Sequence, residues 1–242
     1  GIDGHSTVAH VKSFDFWLDD IPDLQPKYIL YYIGINDSYI SINQSDAFDH
    51  IEKPLIKVIR DNSALWNLVK RVKGTLLAKK SNAWHDHVVF EEQEYDTIQN
   101  FSQIEYKNIL GERLDRYKER LQRLIKLTEA MGARPIFVTQ PMVSYRFGQD
   151  GTVFGIRKRS EYGTIKINGL DHYYFLKEMN KSIDQVAGSQ YLVIDLTDLN
   201  IWETDDFYDF IHMNPKGTKK LATVLARKLI ESKVLQNSAH EN

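Results

Sequence analysis

Tyr28-Ile29-Leu30-Tyr31-Tyr32-Ile33-Gly34-Ile35-Asn36-Asp37 is the stretch on which the reading of the chain turns. Its first six residues are apolar or aromatic without a polar break, and they close on a glycine. The run is short and rich in β-formers, which favours a strand over a helix. Its continuous apolarity predicts burial on both faces, as in a parallel sheet. Asn36 and Asp37 then fall just past the carboxyl end of that strand, where open α/β sheets bind their ligands. Pro135-Ile136-Phe137-Val138, followed by Thr139-Gln140-Pro141, reads the same way, and so does Tyr191-Leu192-Val193-Ile194, followed by Asp195.

Helical periods lie between these strands. Leu114, Tyr117, Leu121, Leu124 and Leu127 recur at helical spacing after Leu110, with Gly132 as the stop. Leu176, Met179, Ile183 and Val186 repeat the pattern after Asp171, a candidate N-cap, and end at Gly188. Asn214-Pro215 reads as a cap followed by proline at the first helical position, with Leu221, Val224, Leu225 and Leu229 as the buried stripe. Alternating strands and helices predict the α/β class, with a parallel sheet covered by helices on both faces. Two stretches depart from this plan. In 61–103 a basic amphipathic piece (Leu65, Trp66, Leu68, Val69 with Lys70, Arg71, Lys73) leads into a polar segment; 144–169 holds five glycines and Arg157-Lys158-Arg159. Long excursions of this kind are often lids or binding loops. With no repeat and no low-complexity linker, 1–242 reads as a single domain.

Composition narrows the function classes. Hydrophobic content of 42% and charged content of 26% are those of a globular chain, and a net charge of −2 offers no electrostatic reason for a nucleic-acid partner. No apolar run approaches the roughly 20 residues that span a bilayer. Cysteine is absent, which removes disulfides, thiolate catalysis and cysteine-ligated zinc together.

The chemistry-bearing residues form two groups. Asp209-Phe210-Ile211-His212-Met213-Asn214-Pro215-Lys216-Gly217 sets an acid and an imidazole three residues apart at the mouth of the last helix. Asn36-Asp37 follows the first strand. Either pair alone is ordinary turn or capping chemistry; both at strand ends of one sheet edge suggest a composite site. His85-Asp86-His87 offers two metal ligands without a third, and Lys70, Arg71, Lys73, Lys79 and Lys80 read as a solvated helix face. His5 and His10 lie near the expected site. The aromatics Tyr173, Tyr174, Phe175, Trp202, Phe207 and Tyr208 read mostly as core, and part of Trp202 to Tyr208, immediately before Asp209, is suited to an acyl or sugar pocket.

Gly34-x-Asn36-Asp37 resembles the third sequence block of the SGNH (GDSL-type) serine hydrolases, and Asp209-x-x-His212 with Asn214-Pro215 and Gly217 resembles their fifth. Gly1-Ile2-Asp3-Gly4-His5-Ser6-Thr7 resembles their second, glycine-bearing block, so the order is preserved along the whole chain. The resemblance implies a flavodoxin-like three-layer α/β/α sandwich and an esterase or deacetylase working through an acyl-enzyme. In it His212 is the general base and Asp209 its orienting acid; Asn36 and Gly4 supply the oxyanion hole; Gly34 and Asp37 support the loop. No metal or organic cofactor is required. The family's nucleophilic serine belongs to a first block, after the first strand, and nothing precedes Gly1. The expectation is therefore that these residues are the downstream part of a longer protein whose first strand is missing here. Reading Gly4-His5-Ser6-Thr7 as a degenerate first block would instead make Ser6 the nucleophile; the preferred reading of Ser6 and Thr7 is a helix cap. Two alternatives share the site: O-acyl transfer to a glycan hydroxyl, and a non-catalytic carbohydrate- or ligand-binding module without a serine. The substrate implied is a small-molecule, glycan or lipid ester, and the family suggests an envelope or secreted location.

Overall fold

The computed structural model describes residues 5–18, 21–39 and 93–234. Its centre is a parallel three-stranded sheet in the order β1 (Tyr28–Ile33), β3 (Arg134–Thr139), β8 (Leu192–Ile194). Leu30 aligns with Ile136 and Ile136 with Leu192, while Ile33 aligns with Thr139, so the carboxyl ends of β1 and β3 lie level. The chain thus belongs to the α/β class.

Alternate residues of β3 enter opposite cores. Phe137 packs with Tyr31 and Ile33 of β1 and with helices on one face, whereas Ile136 and Val138 pack with Ile194 and the last helix on the other. Two long helices build the first core: α4 (Glu112–Ala130), entered through the shorter α3 (Gln103–Leu110), and α5 (Gly169–Ala187). Leu114, Tyr117, Leu121 and Leu124 of α4 are buried in it. Each such side chain contributes about 1.5–3 kcal/mol on burial, against a few tenths per residue from helix propensity. Packing, not propensity, holds this helix. α6 (Pro215–Glu231) covers the second face, with Val224 buried and Leu221, Leu225 and Leu229 packed beside it. A short α1 (Thr7–Ser13) precedes β1 and continues into a π-turn at Phe14–Leu18; α2 (Ile35–Tyr39) follows β1 directly.

Two expectations are modified, the burial of β1 and the cap of α5. β1 has one paired neighbour among the described residues, and Leu30 is 41% exposed, so only Tyr31, Ile33 and their side of the strand are deeply buried. The cap of α5 is Asn168, whose side chain accepts from Leu170 and Asp171 N–H; Asp171 serves as the reciprocal third residue of a capping box. Asp171 is fully buried and also accepts from Tyr106 Oη at 2.7 Å and from the Asn100 amide N–H at 3.0 Å, which ties the segment before α3 to α5. The stretch 144–169 is built of short antiparallel strands: β4 (Tyr145–Phe147) with β5 (Val153–Ile156), which also pairs with β2 (Tyr95–Asp96), and a hairpin of β6 (Ser160–Tyr162) and β7 (Ile165–Ile167). Most of the 61–103 excursion, including His85-Asp86-His87 and the basic residues from Lys70 to Lys80, lies outside the described residues.

The small sheet is anchored to α5 by backbone contact. Ile156 N–H donates to Ser144 O at 2.8 Å, and Gly169 lies flat on that hydrogen bond, so a Cβ there would overlap both atoms. Gly155 faces Leu170 N with equally little room. Neither contact can yield by a side-chain rotation, because backbone is on both sides. Gly169→Ala is therefore expected to lower the unfolding free energy by about 3 kcal/mol, the upper end of ordinary overpacking. Urea denaturation measures this, and a midpoint equal to the parent's would contradict the packing described.

Candidate functional site

The turn after β1 is shaped by backbone and buried charge. Gly34 adopts φ +130°, a conformation that side-chain-bearing residues rarely take, and turns the chain straight into α2. Asn36 donates from Nδ2 to His5 O at 2.8 Å. An amide nitrogen carries two hydrogens, so this bond engages one of them and locks the plane of the group. The next residue, Asp37, is fully buried and points to the start of α1. Both its oxygens receive Thr7 N–H, at 3.2 and 3.0 Å, and Oδ1 receives Thr7 Oγ1 at 2.5 Å and Arg120 Nη2 at 3.1 Å. Burial pushes the Asp37 carboxyl up from its ordinary range, and Thr7 and the Arg120 guanidinium pull against it. Asp37 thus joins the turn after β1 to the start of α1 and to α4. Ser6 caps α1, its Oγ accepting from Val8 N–H at 3.1 Å, and is 1% exposed. Gly4 lies outside the described residues.

Asp209 and His212 sit on a closed loop between a 3-10 turn (Thr204–Asp206) and α6. The loop is pinched at its base: Tyr208 N–H donates to His212 O at 2.8 Å, and Asn214 N–H to Asp206 O at 3.0 Å. Within it Asp209 Oδ1 accepts Ile211 N–H at 2.9 Å and His212 N–H at 2.8 Å, while Oδ2 lies 2.7 Å from His212 Nδ1. Burial alone would raise this carboxyl. The Ile211 amide, the His212 ring and the His212 amide outweigh it, and Asp209 stays below its usual range. An ionised Asp209 fixes the proton on Nδ1 and leaves the lone pair on Nε2, the tautomer a general base needs. The imidazole is 55% exposed and the carboxylate 14%, so the carboxylate is sheltered while the ring faces outward.

The residues after His212 hold this loop in place. Asn214 caps α6 by accepting Gly217 N–H at 3.0 Å. Gly217 abuts the Asp206 carbonyl so closely that a Cβ would overlap it, which gives the Asn-Pro-Lys-Gly sequence a packing reason beyond capping.

The two groups meet through a segment the sequence did not single out. Gln140, one residue past β3, accepts Ile35 N–H on Oε1 at 2.9 Å. Three residues on, Val143 N–H donates to Phe210 O at 3.0 Å. Ile35 and Ile211 also share one small apolar cluster with Met142, Tyr145 and Leu176. The Asn36 turn and the Asp209–His212 loop are therefore fastened to opposite ends of the same four residues. Arg120 and Val143 escaped the sequence reading, which placed Gln140 only in the residues after a strand and Thr7 only in a helix cap and a glycine-bearing block. Arg120 lies between Tyr117 and Leu124 at the margin of a buried stripe, where a charged side chain is ordinarily assigned to solvent.

Other constellations are less suited to chemistry. Ser160 Oγ lies 3.2 Å from His172 Nε2, but the other ring nitrogen faces Tyr39 Oη at 2.8 Å rather than a carboxylate. Burial lowers the His172 pKa to about 4, which makes it a weak base at neutral pH. Glu203, Asp205 and Asp206 cluster closely enough for a cation. Two ammonium groups already stand there: Lys216 Nζ lies 2.7 Å from Asp205 and 3.0 Å from Glu203, and Lys220 pairs with Asp206. Of the flanking aromatics, Phe207 is buried and Trp202 donates to Leu196 O at 2.9 Å, both structural, whereas Tyr208 is exposed beside Asp209. His5 and His10 meet edge to face near the start of α1. Among the described residues no helix is long and apolar enough to cross a membrane.

In comparison with family models, curated proteins and solved structures, nothing matches this chain.

The lowered Asp209 carboxyl has a consequence for stability. A folded value below the unfolded one contributes stability that is fully present above the unfolded value and is lost as pH falls through the folded value. The difference in unfolding free energy between the parent and Asp209→Asn should hold steady near neutral pH and shrink below pH ~4. Urea melts across a pH series measure it. A difference unchanged into strong acid would show that Asp209 is not held as a carboxylate.

Proposed function

We propose that this chain carries the base, the orienting acid and an oxyanion donor of an SGNH-type serine ester hydrolase, on a three-layer α/β/α scaffold of that kind. The observation that carries the reading is the fastening of the Asn36 turn and the Asp209–His212 loop to the single segment Gln140–Val143. Two polar groups more than 170 positions apart in sequence, each readable alone as turn chemistry, have no structural need to share an anchor. The hydrogen-bonded carboxylate–imidazole pair and the buried support beneath Asn36 add to it.

The chemistry follows from the roles. Asp209 Oδ2 holds the Nδ1–H of His212, and Nε2 takes the proton of a serine hydroxyl as its oxygen attacks the acyl carbon. The carbonyl oxygen becomes an oxyanion, received by the second N–H of Asn36 and by the further backbone donor that the family resemblance assigns to Gly4; one oxyanion donor is worth ~3–4 kcal/mol. The intermediate collapses with cleavage of the ester C–O bond, and the imidazolium returns its proton to the departing alkoxide. Water, deprotonated by His212 in turn, releases the acid from the serine. The family resemblance assigns that serine to a block upstream of Gly4. Ser6 is instead committed to capping α1. A glycan or lipid ester is the substrate class the resemblance favours, with Tyr208 an exposed aromatic surface beside the base.

The protein encoded by the full reading frame should hydrolyse p-nitrophenyl acetate and bond covalently to a fluorophosphonate probe, whose attachment point in a tryptic digest identifies the serine. His212→Ala should lower kcat by at least about a thousandfold, and Asp209→Asn by about a hundredfold or more. Hydrolysis and labelling unaffected by His212→Ala would overturn the assignment.

A further inference from the structure

Arg120 is the only cation recorded against the buried Asp37 among the described residues. Its contacts are directional. Nε donates to Thr7 Oγ1 at 2.7 Å, Nη2 donates to Asp37 Oδ1 at 3.1 Å, and Thr7 Oγ1 in turn donates to the same oxygen. These three contacts close a ring of Arg120, Thr7 and Asp37. Three separate elements meet there: α1 through Thr7, α2 through Asp37, and the middle of α4 through Arg120. The guanidinium is 19% exposed and the carboxylate 1%, so solvent screens the contact weakly.

The ring adjoins the group that matters to the reaction on both sides. Asn36 precedes Asp37, and His5, whose carbonyl receives Asn36 Nδ2, stands two residues before Thr7. The backbone of α1 and that of α2 are therefore joined twice over a few residues, once by Asn36 to His5 and once by Asp37 to Thr7. The second joint has its geometry set from outside, by a rigid 19-residue helix packed into the main core. α1 itself, seven residues long, is too short to hold a position by its own stability.

We propose that Arg120 is a positioning residue of the candidate site: through Thr7 and Asp37 it sets the separation between the start of α1 and Asn36, and hence where the Asn36 amide points. The inference rests on the hydrolase reading for its catalytic consequence but not for its structural one. The ring offsets only part of the cost of burying Asp37. Burial raises the Asp37 carboxyl above its ordinary value, and an acid raised on folding loses stability once pH exceeds its unfolded value. Buried ion pairs can often be replaced by uncharged groups at little cost to the fold. A charge cluster at such a place is better explained by the geometry it enforces.

Three variants separate the possibilities: Arg120→Met, Arg120→Lys, and the pair Asp37→Asn with Arg120→Met, which removes both charges and so keeps the fold if the single change does not. In isotope-labelled full-length protein, the Asn36 side-chain amide should shift or broaden in a proton–nitrogen correlation spectrum for Arg120→Met and for the pair, and return toward the parent position for Arg120→Lys. Against p-nitrophenyl acetate, kcat should fall about tenfold to a hundredfold with KM little changed, as a small misplacement of one group predicts. An Asn36 amide that stays at its parental position in folded Arg120→Met or in the pair would overturn the proposal whatever the activity. A displaced amide in a protein whose esterase activity ignores His212→Ala would keep the positioning role and sink the hydrolase reading instead.

Discussion

The parallel register of β1 on β3 is the constraint from which the site follows. Because Ile33 lies level with Thr139, the chain leaves both strands at the same height, and Gly34 emerges beside Gln140. Gln140 can then take the Ile35 amide, and the next residues can take the loop that bears Asp209 and His212. A shift of one residue in that pairing would move Gln140 away from Ile35 and also exchange the two faces of β1. Tyr31 and Ile33 would then leave the core in which Tyr31 stacks on Phe137 at 5.6 Å and bonds Thr128 at 2.6 Å. The hydrophobic core thereby enforces the register that the polar site needs.

Around that axis backbone contacts and buried polar groups join the loops, with exposed salt bridges beside them. Gly169 and Gly155 seat the small antiparallel sheet on α5, and Gly217 seats α6 on the 3-10 turn that leads to Asp209. Asp171, fully buried, gathers Asn100, Tyr106 and Asn168; Asp37 gathers Thr7 and Arg120. Buried acids with several donors are costly to disturb, because removal of a partner leaves charge without solvent. The surface clusters, such as Lys216 with Glu203 and Asp205, are exposed and of the kind that contributes little individually.

Much of this was legible in local pattern. The strand at Tyr28, the stripes of α4, α5 and α6, the cap at Asn214 and the stops at Gly132 and Gly188 all obey short-range rules, because period and capping depend on neighbours in sequence. So does the Asp209–His212 contact, which lies within one loop. The misreadings have a common origin. Asp171 and Asn168 both carry capping chemistry, and which one stands at the first non-helical position depends on where the β7 strand releases the chain. Leu30 is exposed because of which neighbour β1 pairs with, a property of the sheet rather than of the strand.

The sequence by itself determined the α/β class, the order of the elements and the residue types able to perform acid–base chemistry, since these rest on periodicity and on side-chain identity. Only the tertiary structure decided that Gln140 and Val143 tie the two polar loops together and that Arg120 reaches Asp37 through Thr7. The physical reason is range. Thr7, Asp37 and Arg120 are separated by 30 and 83 positions along the chain, and no local signal encodes a contact that exists only once the core has brought three helices to the same point.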